Sequence, residues 1–128
     1  MGSGEADVTV DEVLERYREE ELPEFVGLPL RDVNQVGNFG DSPLKVAAVR
    51  GLLEEVLALL DGGAAIDSRG EHGFTALHHA VSQGHIEVVR VMLERGASIV
   101  IHNDWGQTPG DIAVLSARAD IAAILSAS

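Results

Sequence analysis

Apolar positions recur along this chain at helical spacing, in short blocks separated by glycine. Val10, Val13, Leu14 and Tyr17 fall at i, i+3, i+4 and i+7, which predicts an amphipathic helix whose other face is acidic. Thr9 and Glu12 stand in capping-box spacing ahead of that stripe, and Pro23 ends it. Leu53, Val56, Leu59 and Leu60 predict a second helix. Ile86, Val89 and Leu93 predict a third, with Val88 and Met92 widening its stripe. Ile121, Ile124 and Leu125 predict another near the end. Such short helices are marginal alone in water, where fewer than about 12 residues rarely hold. They must therefore stack on one another.

The blocks repeat. Gly40, Gly73 and Gly106 lie 33 residues apart, as do Ser42, Thr75 and Thr108, and Ala47, Ala80 and Ala113. Gly51 pairs with Gly84 and Gly63 with Gly96 at the same interval. The first glycine of each set suits a tight turn at positive φ. The hydroxyl two residues on is read as an N-cap, with Pro43 and Pro109 at the first helical position. Gly51 and Gly84 then close a helix of about two turns. The alanine between allows close helix approach. "SIVI" (98–101) is β-branched and extended in preference, with packing on the next unit or a sticky surface both open.

The stretch "GFTALHHAVSQGHIEVVRVMLERGAS" resembles an ankyrin repeat, whose hallmark is a T-P-L-H-x-A run at this period. "GDSPLKVAAVRG" and "GQTPGDIAVLS" resemble the same unit, and "DVNQVGNFG" (32–40) the tail of a preceding one. The likeness spans 32–125. Lys45 and Asp111 replace the family's histidine, Gly110 its leucine, and Ala117 stands where Gly51 and Gly84 stood. The resemblance implies an all-α fold: an ankyrin-repeat solenoid of paired short helices with β-hairpin loops, plus an N-terminal capping helix. The expected organisation is a flexible N-terminus (1–8), an acidic capping helix and linker (9–31), and repeats over 32–128. Those repeats divide into units 40–72, 73–105 and a truncated 106–128. The helix in 9–31 is read as a lid hiding apolar surface that a solenoid end would expose.

Composition narrows the partner. The 128 residues carry 21 acids against 9 bases, a net charge of −12, and residues 1–33 hold −7 of it. Phosphate backbones and anionic lipid repel such a chain, so nucleic acid and membrane are poor partners and a basic protein surface is a better one. There is no cysteine, which removes thiolate metal sites and thiol catalysis. No basic leader or membrane-length apolar run is visible. A cytoplasmic monomer is the simplest expectation.

Four of the five histidines crowd into 72–85, at His72, His78, His79 and His85. Zinc needs three or four converging ligands. Helical neighbours at i and i+1 diverge, and no H-E-x-x-H occurs. The resemblance gives His78 and His85 structural roles, His78 bonding nearby backbone and threonine. No nucleophile elbow or phosphate loop is present, and Glu54 and Glu55 read as solvated helix acids. No catalytic residue, metal or cofactor is therefore expected.

In the family, partners are gripped at hairpin tips and on the exposed face of the first helix. Carried over by register, these positions are Asn38, Phe39, Asp41, Val49, Arg50, Arg69, Glu71, His72, Phe74, Ser82, Gln83, His102, Asp104, Trp105, Gln107, Leu115 and Ser116. The expected function is a non-catalytic protein-protein interaction module. An inhibitor or immunity-type protein that neutralises a basic enzyme or effector would use the same surface. A metal-dependent hydrolase built on the histidines is the remaining alternative.

Overall fold

A computed structural model describes residues 8–128; the N-terminal stretch expected to be flexible lies mostly outside them. Seven α-helices follow in order: α1 (Val10–Glu19), α2 (Pro43–Arg50), α3 (Leu53–Asp61), α4 (Ala76–Gln83), α5 (Ile86–Glu94), α6 (Pro109–Leu115) and α7 (Ala119–Ser126). Two rows result. Helices α2, α4 and α6 pack in succession, and α1, α3, α5 and α7 stack alongside them. The core runs between the rows as one cluster, from Val13 and Tyr17 through Leu44, Leu59, Leu77 and Met92 to Ile121 and Leu125.

Local chemistry sets each helix. Thr75 and Thr108 close capping boxes, each accepting from the N3 amide while the N3 side chain accepts from the cap amide. Thr9 and Glu12 do the same for α1. Ser42 departs from expectation: its side chain makes no cap bond. The N3 residue there is Lys45, which has donors only and cannot accept the cap amide. Its ammonium turns instead to Glu24 at 3.3 Å and Asp41 at 3.5 Å.

Gly51 and Gly84 terminate α2 and α4 at φ 71° and 76°. Both also lie against a side chain of the next unit. A Cβ on Gly51 would overlap the His85 ring, and one on Gly84 would overlap the Arg118 guanidinium. Ala117, at the equivalent place after α6, takes φ 57°, a strained conformation for alanine.

The loops correct one expectation. Among the described residues no strand forms. Each loop is a tight turn whose ends are joined by a main-chain bond, Gly37 N–H to Asp41 O, Gly70 N–H to Phe74 O and Asn103 N–H to Gln107 O, with a second bond inside it from Gly40, Gly73 and Gly106 N–H back to the O of Gly37, Gly70 and Asn103. Within "SIVI", Ile99 packs on the core while Val100 is exposed.

The lid helix is held by a cluster the sequence did not reveal. Glu55, expected in solvent, is fully buried. Its carboxylate accepts from the Tyr17 hydroxyl at 2.6 Å and the Arg16 guanidinium at 2.8 Å. Arg50 lies over the Tyr17 ring at 5.1 Å and pairs with Glu20 at 2.6 Å. Burial, then the bond to Glu55, raises the Tyr17 pKa, so the phenol stays neutral and donates. Val13, Leu14 and Tyr17 thus bury α1's apolar face against α3.

Candidate functional site

The three turns present the same pair of register positions at their tips, 33 residues apart: Asn38–Phe39, Glu71–His72 and Asp104–Trp105. The second member is a ring each time, and each is exposed, Phe39 by 50% and Trp105 by 62%. Neighbouring turns are bonded together. The Glu71 amide donates to Asp41 Oδ1 at 3.1 Å, and the Asp104 amide donates to His72 O at 2.9 Å. The rings of His72 and Trp105 meet at 5.1 Å, and Phe74 lies edge-on to Trp105 at 6.0 Å. Glu71 flanks this cluster, while Asp104 is partly neutralised by Arg69 at 3.4 Å. His72, Phe74 and Trp105 thus form one ring cluster at the second and third turns, with Glu71 and Asp104 beside it.

The other expected contacts divide by burial. Gln83, His102, Leu115 and Ser116 are exposed along the same units. Asp41 is not available: it is 1% exposed and serves as the acceptor that joins the first two turns. Arg50 is engaged by Glu20 and Tyr17. Gln107 is half-buried, its carbonyl bonded to His78 and its side chain to Asn103. Val49 and Ser82 are half-buried, and their carbonyls accept from His85 and Arg118. Asn38 is exposed, but its amide donates to the carbonyls of Pro23 and Val26.

His78 and His79 in α4 and His85, at the cap of α5, are packed into the framework. His78 Nδ1 accepts the Thr75 amide at 3.0 Å, so the proton sits on Nε2, which donates to Gln107 O at 2.9 Å. Burial lowers the His78 pKa and keeps the ring neutral. His85 Nε2 donates to Val49 O at 2.9 Å. His79 stacks on Phe74 at 5.1 Å with Nε2 buried and unpartnered. Burial, then the nearby Lys45 charge, pushes its pKa down to about 4. His78 Nδ1 closes the cap of its own helix, while its Nε2 and the Nε2 of His85 join successive units. Among the described residues, no three of His, Asp and Glu group as a metal set. No helix among them is long and apolar enough to cross a membrane.

Sequence reasoning missed the staples between units, although their signal was present. Arg118 stands 33 residues after His85 and donates to Ser82 O as His85 donates to Val49 O. Asn34 and Asp67, also 33 apart, accept the amides of Ala65 and Ser98.

No curated protein matches this chain. A family model described as ankyrin repeats, in three copies, matches residues 17–103, from within α1 to the third turn. With helix pairs, turns and inter-unit bonds all in that register, the chain belongs to the ankyrin repeat family.

Proposed function

We propose that this chain is a non-catalytic binding module that takes a basic protein partner along its turn tips. Ankyrin repeats in general are protein–protein interaction modules. The observation that carries the finer reading is the exposed ring at one register position in three successive turns: Phe39, His72 and Trp105. Exposed aromatics held by a rigid support lose little entropy on binding and are common hot spots. The net charge of −12 favours encounter with a basic surface.

The test uses the protein as bait, purifies the tightest captured binder, and measures its affinity for variants. Trp105→Ala should weaken binding at least about 30-fold, roughly 2 kcal/mol, without changing the fold. Raising salt should slow association. Unchanged affinity in Trp105→Ala and in Phe39→Ala, both folded, would refute the tip reading. Loss of a captured enzyme's activity on binding would make the role inhibitory.

A further inference from the structure

The ring cluster of the second and third turns carries uncancelled charge at its rim. The side chains of Glu71 and Asp104 are 49% and 58% exposed beside the exposed Trp105. The Glu71 carboxylate has one ionic neighbour among the described residues, His72 Nε2 at 3.7 Å. Asp104 Oδ1 is engaged by the Arg69 guanidinium at 3.4 Å, and Arg69 is tied back by its Nε, which donates to Gly73 O at 3.3 Å. Two carboxylates against one guanidinium leave one negative charge beside three rings. Glu71 and Trp105 both meet the His72 ring, at 3.7 Å and 5.1 Å, so one incoming side chain can reach both. The Asp104 amide bond to His72 O fixes the two turns together before any partner arrives.

We propose that this cluster seats an arginine side chain of the basic partner, an assignment that rests on the turn tips being the binding edge. Chemistry selects among the occupants. An apolar side chain would strip water from Glu71 and Asp104 and return no bond, which is unfavourable for both carboxylates. An acidic one would meet the negative charge already there. A lysine ammonium has the right sign, but it is a compact, strongly hydrated point charge that stacks poorly on a ring. An arginine guanidinium is flat and weakly hydrated, so it lies against Trp105 while its N–H fork reaches a carboxylate. One such cation cancels the surplus charge. Glu71 is the carboxylate that receives it, because Asp104 is already shared with Arg69. The chain uses the same arrangement within itself: Arg50 lies over the Tyr17 ring at 5.1 Å while its Nη2 meets Glu20 at 2.6 Å.

End-blocked hexa-arginine, hexalysine and hexacitrulline peptides are titrated into the full chain at about 0.15 M salt, where exposed charges more than about 8 Å apart are screened. Emission from Trp105, the chain's only tryptophan, should change saturably with hexa-arginine. Hexalysine should bind at least about threefold more weakly, and hexacitrulline, which keeps the shape without the charge, should not bind. Glu71→Gln should weaken hexa-arginine about tenfold, the size of one charge-assisted bond. Glu15→Gln removes the same charge from the exposed face of α1 and should stay within about twofold of the parent. Both variants should keep the parent's circular dichroism. Equal affinity for the arginine and lysine peptides, equal losses in the two variants, or an unresponsive Trp105 would each overturn the inference. If a captured partner nevertheless still needs Trp105, arginine is removed and the tip reading stands. A captured partner indifferent to Trp105→Ala would remove the tip reading itself.

Discussion

Replacing Glu55 by alanine should cost about 2–3 kcal/mol, chiefly from the buried hydroxyl left unsatisfied, and loosen α1 from the repeats. Glu55 is fully buried and accepts from both Tyr17 and Arg16. Its removal leaves a buried hydroxyl without an acceptor and leaves the Arg16 guanidinium, itself partly exposed, with only Glu54 at 3.9 Å. Glu55→Gln keeps an acceptor for Tyr17 but loses the charge, so it should fall between alanine and the parent. Tyr17→Phe removes one donor and keeps the ring that packs in the core, so a loss of about 1–2 kcal/mol is expected. Urea unfolding of the four proteins gives the ranking. Equal midpoints for parent and Glu55→Ala would mean that this cluster does not hold the lid.

Acid should destabilise the fold through His79 before the carboxylates contribute. The folded pKa is about 4, against an ordinary 6.5, because the ring is buried and faces the charge of Lys45, with Asp41 opposing more weakly. Between those values the unfolded chain binds a proton that the folded chain refuses. Stability is therefore complete above about 6.5 and is lost as pH falls toward about 4. At about 1.36 kcal/mol per unit, the loss approaches roughly 3 kcal/mol. His78, also lowered by burial, adds in the same direction. The lowered carboxyls of Glu12 and Asp111, held by bonds from Thr9 and Thr108, begin to add their loss only near the acid end of this range, as pH falls through about 4.5 and 3.8. His79→Leu should match the parent at pH 7 or exceed it, and should flatten the decline between pH 6.5 and 4. Parallel declines in the two proteins would exclude His79 as the cause.

The fold was legible where a residue's task is local or repeats in register. Thr75 and Thr108 cap helices by accepting the N3 amide, and the boxes are complete because the N3 side chains, His78 and Asp111, can accept the cap amide in return. The glycines at 51 and 84 take the left-handed backbone that a helix end requires. At Ser42 the reciprocal half of a capping box could have been excluded from Lys45 alone, since an ammonium has nothing to accept with, whereas the missing bond to the serine hydroxyl carries no such local mark. Glu55 could not have been read in this way. Its partners lie 38 and 39 residues earlier, and an acid on a predicted helix carries no local mark of burial. The candidate face was legible as a set of tips, but not as an edge. Asp41 and Gln107 share the register of exposed neighbours, and only packing shows that their bonds are spent within the framework. Arg118 was hidden because it does the work of His85 with a different side chain.

Trp105 is the chain's only tryptophan and is 62% exposed at the third tip, so its fluorescence reports on the proposed binding edge. Titration with a captured partner lacking tryptophan measures this directly. A saturable blue shift, with protection of Trp105 from an aqueous quencher, is the expected result. Emission and quenching that stay unchanged while the partner is fully bound would contradict the central claim that the tips form the binding edge.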